Sequence, residues 1–459
     1  MSSKKKLSQI KSGIFSRGAS LAKVSFNAST QAAKHVIGNA LTIDKSKRKS
    51  QLELFVNQVE ILSQELGQLK GSLMKVGQLL SMYGEYFFPA EVNTILKKLQ
   101  KDSPPLEWDQ IEKVLLKELG TEKLSKLEIE KESLASASLG QVHRAKIKDT
   151  GQYIAMKIQY PGVDRAINGD LKALRSILMV SKVLPKHLNI DELFQEIKTM
   201  LRQEVDYEKE LKLTQEFKTL LLQDPRYIVP EVFPEFSSKK VLSTSYEDGH
   251  SFDDPRVIDL PQDRRNSLAE TYLELYLNEI FTWKMVQTDP HFGNYRVRLN
   301  EQTKQDQIVL FDFGATRKVS KEFRDNYFQL AKSIFLNKRV EFERAAFQFN
   351  LIRKDDSQEL KTAFWILCQT IMEPILSDIH EVKALNLDEH GVYDWGDSGL
   401  PKRVAKMATK MAFSYEVRTP PREFVFLDRK MGGIFILLSV LQAKINVRRI
   451  LEKMILEGE

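Results

Sequence analysis

The chain of 459 residues is too long for one compact core, and its 42% hydrophobic and 29% charged residues are ordinary for a globular protein. A single cysteine, Cys368, excludes a disulfide within the chain and is expected to be a small buried apolar residue. The net charge of +7 arises in the first 50 residues, where eleven Lys or Arg stand against one acid. The remainder is slightly acidic, which argues against a nucleic-acid-binding body. No apolar run reaches the roughly eighteen residues of a membrane-spanning helix.

Residues 1–49 form a basic segment whose apolar residues recur loosely at helical intervals. Three interpretations remain open: an organelle-targeting segment, an amphipathic helix lying on anionic lipid, and a solvated tail. The lack of a long apolar core argues against a secretion signal.

Residues 51–83 have the apolar spacing of a long helix, with alternating steps of three and four. A different face of this helix carries Gly71, Lys75 and Gln78. Glycine destabilises a helix, so the close approach of another element would explain it, and Lys75 and Gln78 would then face that element. The alternative is a solvated face that carries two polar residues. A second helix is predicted over residues 91–100.

A helix near Trp108–Leu119 precedes three strand-like segments, LEIEKESL, GQVHRAKI and QYIAMKIQY. The second and third are separated by a turn-forming Asp149-Thr150-Gly151. We therefore predict a three-strand meander, with Lys157 near the end of its third strand.

The loop between the first two strands consists of small residues rather than glycines. Backbone N–H groups of such a loop can still approach phosphate, but most of glycine's conformational freedom is lost, so we expect a stiff loop. Its members are Ala135, Ser136, Ala137, Ser138, Leu139 and Gly140.

Two further helices are predicted over residues 163–182 and 190–221, and the second carries a cluster of acids that includes Glu204, Asp206 and Glu210. Strand-like segments follow over residues 227–233 and 241–246. A helical body is predicted from about Leu260 to the C-terminus, interrupted by the stretch from Gln287 to Gly314.

That stretch carries three polar residues whose spacing indicates a function. Asp289 and Asn294 stand five apart, and Asp312 begins a D-F-G after two short strands, VRLN and IVLF. This is the layout of protein-kinase-like phosphotransferases. One carboxylate orients or deprotonates the acceptor, while an amide and a second carboxylate hold magnesium against the phosphates of ATP. In that frame Lys157 is the phosphate-contacting lysine, and either Glu204 or Glu210 is its helical partner; spacing alone does not choose between them.

The assembled motifs resemble those of the UbiB (aarF-domain) family of atypical kinases over roughly residues 50–455. The family's K-x-G-Q, Ala-rich loop, E-x-D, catalytic and D-F-G motifs match here. They are Lys75-Val76-Gly77-Gln78, ASASLGQVH, Glu204-Val205-Asp206, Gln287-Thr288-Asp289-Pro290 with Asn294, and Asp312-Phe313-Gly314. Four segments look closer to the mitochondrial coenzyme-Q-supporting branch than to bacterial UbiB: AMKIQYPGV, QTDP, DFGATR and RKMGG.

The resemblance implies an α+β, protein-kinase-like bilobal fold with a small antiparallel-sheet N-lobe, a helical C-lobe and a helical K-x-G-Q extension packed over the active site. The corresponding divisions would be the basic segment 1–49, the helical extension 50–125, the N-lobe 126–250 and the C-lobe 251–459.

The resemblance also implies residue roles. Lys157 would contact the nucleotide phosphates together with the Ala-rich loop and would pair with Glu210. Asp289 would be the catalytic carboxylate, with Asn294 and Asp312 as magnesium ligands. A regulatory set would consist of Lys75, Gln78, Glu204 and Asp206, with Lys75 meeting the two acids.

The expected function is that of a Mg-ATP-dependent atypical kinase or ATPase acting at a membrane surface, in support of ubiquinone biosynthesis or lipid homeostasis. Partners would be ATP, an anionic membrane surface or isoprenoid lipid, and enzymes of lipid biosynthesis, without nucleic acid. The protein would be cytoplasmic and peripheral to the membrane if bacterial, and mitochondrial if eukaryotic. The alternatives are a small-molecule phosphotransferase of the kinase-like superfamily and a nucleotide-binding lipid scaffold without turnover.

Overall fold

The computed structural model describes residues 74–80, 105–181, 190–377, 379–414 and 421–457. The chain divides into two compact units. Unit one comprises Met1–Gln215 and Glu231–Tyr246, and unit two comprises Glu216–Pro230 and Glu247–Glu459. Residues 74–80 are helical, as predicted, whereas the rest of the helices expected over residues 51–83 and 91–100 and the basic segment 1–49 lie outside the described residues.

The predicted strands occur in the predicted order, and unit two contains further short strands that the sequence did not predict. The described strands are β1 (Leu127–Ser136), β2 (Gly140–Ile147), β3 (Tyr153–Gln159), β4 (Tyr227–Ile228), β5 (Val241–Ser245), β6 (Met285–Gln287), β7 (Tyr295–Arg298), β8 (Gln307–Leu310), β9 (Thr316–Lys318), β10 (Tyr393–Asp394) and β11 (Lys444–Ile445). The described α-helices are α1 (Trp108–Ser125), α2 (Val163–Ser181), α3 (Ile190–Glu204), α4 (Tyr207–Leu220), α5 (Pro255–Ile258), α6 (Gln262–Leu277), α7 (Lys321–Phe335), α8 (Arg339–Gln348), α9 (Gln358–Ile371), α10 (Trp395–Ser398), α11 (Leu400–Ser414), α12 (Arg422–Val440) and α13 (Val447–Glu457).

Unit one is built on an antiparallel sheet in the order β1–β2–β3–β5. The predicted three-strand meander is confirmed, and the turn between β2 and β3 uses Gly151 at a φ of +73°, a conformation that favours glycine. Alternate residues of β3, Ile154, Met156 and Ile158, are fully buried in a core shared with α1. Because side chains alternate along a strand, Lys157 lies on the opposite face of the sheet.

The prediction of one long helix over residues 190–221 is wrong. Residues 190–221 do not form a single helix, because the chain leaves helical geometry at Val205-Asp206 between α3 and α4. The Asp206 carboxylate accepts a hydrogen bond of 3.1 Å from the backbone N–H of Lys209, which satisfies a donor of the first turn of α4. An aspartate that caps a new helix competes with continuation of the old one.

Unit two combines small sheets with a helical body. Strands β4, β8 and β7 form one sheet in that order, and β6 pairs with β9. The two strands predicted around a polar turn before the D-F-G are confirmed as β7 and β8. The strand expected over residues 227–233 is shortened to β4, which ends two residues before Pro230.

The apolar run over residues 432–441, which is too short to span a membrane, belongs to a core helix. It lies within α12, whose Ile434, Leu437 and Leu438 are buried. Cys368 is also buried, as expected, and burial raises the pKa of its thiol. Within the described ranges, no helix has both the length and the apolarity that a bilayer crossing requires.

Candidate functional site

In unit one the strand lysine is held by a helical glutamate. Lys157 Nζ donates to both carboxylate oxygens of Glu210 on α4, at 2.7 and 3.0 Å. The Glu210 side chain is 2% exposed and that of Lys157 is 22% exposed, so the ammonium keeps a path to solvent. The Tyr207 ring lies 5.2 Å from Nζ. Of the two glutamates that spacing left open, the structure brings Glu210 to Lys157.

The second candidate, Glu204, pairs with a different lysine. Lys75 lies in the helical segment 74–80, is 6% exposed and places Nζ 2.6 Å from Glu204 Oε1. Gln78 is half-buried in the same segment. Within unit one, the K-x-G-Q helix is thus joined to the end of α3 by an ion pair, while Asp206 of the E-x-D motif caps α4.

The small-residue loop is anchored at both ends. The backbone N–H of Ala137 donates to the carbonyl oxygen of Gly140 at 2.8 Å, and Leu139 is buried in the core of the sheet. A Cβ at Gly140 would lie 2.4 Å from the carbonyl oxygen of Ile158, so only glycine allows β2 to approach β3 here. Burial raises the pKa of Tyr160 to about 12, and Ser136 opposes this shift. These contacts support the expectation of a stiff loop.

In unit two, short hydrogen bonds tie the three polar residues together. Asn294 Nδ2 donates to the carbonyl oxygen of Asp289 at 3.0 Å, and the Asn294 carbonyl accepts from the N–H of Phe311, next to Asp312. The Gln287 side chain connects the main chain at Asp289 to the main chain at Asp312. Its Oε1 accepts from the N–H of Asp289 at 3.1 Å, and its Nε2 donates to the carbonyl oxygen of Asp312 at 3.2 Å.

The D-F-G motif is fixed by its aromatic residue. Phe313 is 2% exposed and its ring lies 4.6 Å from that of Phe217, which belongs to the same unit. Asp312 Oδ1 accepts the N–H of Gly314 at 2.9 Å. The position of the Asp312 carboxylate is therefore set by packing and by its own turn.

The donor set suits a magnesium ion held partly by phosphate. The Asn294 amide nitrogen donates to Asp289, so the amide oxygen would be the ligand atom, and Asp312 would supply a carboxylate. Two protein oxygens with further oxygens from phosphate and water match the preference of Mg²⁺. No cluster of three or more His, Cys, Asp or Glu suited to a metal occurs among the described residues.

Sequence reasoning missed the contact that α12 makes with the catalytic loop. Arg429 Nη2 donates to Asp289 Oδ1 at 2.9 Å, which fixes the carboxylate and compensates its charge. A Cβ at Gly433 would lie 2.3 Å from Pro290 Cβ, so this glycine permits the close approach of the helix. At the neighbouring Gly432, no atom of the described residues outside its own helix backbone lies within 4 Å of such a Cβ. The RKMGG segment was the only signal, and it indicated a family likeness rather than a contact.

A strand lysine held by a helical glutamate, together with a D-x-x-x-x-N loop and a D-F-G, defines a protein-kinase-like phosphotransferase. Residues 98–344, more than half of the chain, match the ABC1 atypical kinase-like domain. The chain belongs to this family, which confirms the likeness to aarF-domain atypical kinases and the prediction of a kinase-like enzyme.

Curated relatives carry the same designation. The chain is 31% identical over 447 residues to the mitochondrial atypical kinase COQ8 of Saccharomyces cerevisiae, covering 96% of this chain and 84% of that protein. It is 32% identical over 390 residues to the mitochondrial atypical kinase COQ8B of Danio rerio, covering 83% of this chain but 58% of that protein. The chain thus spans less than two thirds of the length of the fish protein.

A solved structure agrees with the predicted fold. The Rv3197 protein of Mycobacterium tuberculosis, solved in complex with erythromycin, aligns with a TM-score of 0.57 and 24% identity over 87% of this chain and 96% of that chain. The prediction of a kinase-like α+β fold with an antiparallel N-terminal sheet and a helical body is confirmed.

Proposed function

We propose that this protein binds Mg-ATP and cleaves its terminal phosphate, with Lys157 and the loop from Ala135 to Gly140 contacting the nucleotide. The observation that carries this proposal is the two-point ion pair between Lys157 and Glu210. Kinase-like enzymes hold the phosphate-contacting lysine with a helical glutamate in this way. Burying a carboxylate is costly, and a partner that holds it on both oxygens offsets that cost.

Asn294 and Asp312 would hold the magnesium ion, and Asp289 would act on the attacking group. Bound magnesium neutralises charge on the phosphates and so favours their transfer. The chain's own contribution is orientation, because Gln287 links the main chains of Asp289 and Asp312 and Arg429 holds the Asp289 carboxylate.

Two features favour ATP hydrolysis over phosphorylation of a protein. The Asp289 carboxylate is 15% exposed and already bonded to Arg429, which restricts its contact with a bulky acceptor. The second feature is the Lys75–Glu204 pair, which would hold the K-x-G-Q helix in place as an element that restricts the access of a protein acceptor. Gln78 and Asp206 would belong to the same regulatory set.

The setting we propose is the membrane-associated synthesis of an isoprenoid quinone. Its support is the likeness to the COQ8 kinases, whose names place them in mitochondria, and the basic composition of residues 1–49. An anionic membrane surface or an isoprenoid lipid would then stimulate turnover, and enzymes of lipid biosynthesis would be the partners.

The test of this function is the effect of Asp312→Ala on Mg-ATP. We expect the variant to lose at least tenfold in affinity for Mg-ATP, because a carboxylate that the metal requires is gone. Affinity is measured by thermal-shift titration with and without a chelator, and turnover by phosphate release. Both are measured with and without anionic liposomes and a quinone-like phenol.

Asp325→Ala is the matched control, since Asp325 is an exposed carboxylate on α7. A wild-type protein that neither binds Mg-ATP nor releases phosphate would refute the proposed function. Equal affinity of wild type and Asp312→Ala would remove Asp312 from the metal.

A further inference from the structure

A lysine is completely buried behind the catalytic loop. Lys430 of α12 is 1% exposed, and its Nζ donates to Tyr295 Oη at 3.1 Å and lies 3.5 Å from Gln287 Oε1. The rings of Tyr272 and Tyr295 lie 5.7 and 5.6 Å from Nζ. An ammonium is expensive to bury unless its charge is compensated.

The compensating charge is Glu279, which is also 1% exposed and lies 3.3 Å from Lys430 Nζ. It stands in a π-helical turn, Asn278–Thr282, that follows α6. Such turns are rare and occur frequently at functional sites. Burial raises the pKa of the Glu279 carboxyl to about 7, and the Lys430 ammonium and the backbone N–H of Gln287 oppose this shift. Lys430 is therefore the member of the pair that bonds to the Gln287 side chain, and Glu279 compensates its charge.

Gln287 is the residue through which this pair reaches the reacting groups. Its amide oxygen accepts from Lys430, from Tyr295 and from the N–H of Asp289, and its amide nitrogen donates to the carbonyl oxygen of Asp312. A displacement of the Gln287 side chain would therefore move the main chains of Asp289 and Asp312 together. Shifts of about 1 Å in positioning groups can cost about 100-fold in rate.

We propose that the buried Lys430–Glu279 pair is a positioning device for turnover, which sets the catalytic loop through the side chain of Gln287. This inference rests on the proposed function of Asp289 and Asp312. Neither Lys430 nor Glu279 would touch the nucleotide. Simple packing does not require an ion pair at this place, because two neutral side chains of the same size would fill the same volume without the cost of burying charge.

The test is the double variant K430M/E279Q, which keeps the volume of both side chains and leaves no uncompensated charge. We expect its thermal midpoint to stay within a few degrees of wild type and its affinity for Mg-ATP within about threefold, while kcat falls at least tenfold. Hydrogen exchange of the backbone N–H of Asp289 should accelerate at least tenfold, because Gln287 no longer holds it in place.

The matched control is R264M/D306N, which neutralises another buried ion pair of unit two. Arg264 and Asp306 are 6% and 3% exposed and 2.6 Å apart. Their removal should leave kcat and the exchange of the Asp289 amide unchanged. A K430M/E279Q protein with wild-type kcat or wild-type exchange would overturn the positioning role, as would parallel losses in both double variants. If wild type hydrolyses no ATP, the proposed function fails, and the exchange measurement still decides the role of the pair.

Discussion

Replacing Asp289 by Asn is expected to lower the rate of ATP turnover by at least about 100-fold, the smaller end of the range for a lost general base. The affinity for Mg-ATP should stay within about threefold of wild type. The substitution keeps the shape of the side chain and does not touch the main-chain bonds that join Asp289 to Gln287 and Asn294. What disappears is the negative charge that, in the proposed function, would take up a proton from the attacking group.

The measurement is phosphate release at saturating Mg-ATP, with affinity taken from thermal-shift titration. Asp325→Asn, the same change at an exposed carboxylate, should leave both values unchanged. Unaltered turnover in Asp289→Asn would remove this residue from its role. A parallel loss of affinity would mean that the loop, rather than the reaction step, had been damaged.

Replacing Lys157 by Met should have the largest effect on stability of any single change at the site. It leaves Glu210 at 2% exposure without its cation, which costs about 3–5 kcal/mol in comparable buried pairs. The double variant K157M/E210Q removes both charges and should recover most of this loss. It should still bind Mg-ATP at least tenfold more weakly than wild type, because the phosphates have lost their cation.

The free energy of unfolding is measured with urea, and affinity by titration of the folded protein. Lys146→Met on the neighbouring strand is the matched control, since Lys146 is also a half-buried strand lysine. This variant should change the free energy of unfolding by no more than a few tenths of a kcal/mol and the affinity for Mg-ATP by no more than about twofold. A K157M/E210Q protein that binds Mg-ATP like wild type would show that Lys157 serves stability alone.

The sequence predicted well where the signal is local. The alternation of β2 and β3, with a turn that needs glycine, was sufficient to place Lys157 near the end of its strand. The five-residue spacing of Asp289 and Asn294 is likewise local, and their contact is a direct hydrogen bond.

What the sequence could not predict depends on packing between distant segments. The contact of Arg429 with Asp289 spans 140 residues, and that of Lys430 with Gln287 spans 143. The choice of Glu210 over Glu204 depended on a break in the helix, which turns α4 independently of α3. The need for Gly140 arises from the carbonyl oxygen of Ile158 on the next strand rather than from the phosphate loop itself.

The proposed function requires that one triphosphate contact both Lys157 and the metal that Asn294 and Asp312 would hold. It is tested most directly by labelling with an acyl-phosphate derivative of ATP, which acylates a lysine beside the phosphates, followed by mass spectrometry. We expect that Lys157 is labelled in the presence of magnesium, that excess Mg-ATP prevents the labelling, and that Asp312→Ala lowers it at least tenfold. The proposed site would be contradicted if Lys157 is labelled equally with and without magnesium and in Asp312→Ala. Labelling confined to other lysines would also contradict it.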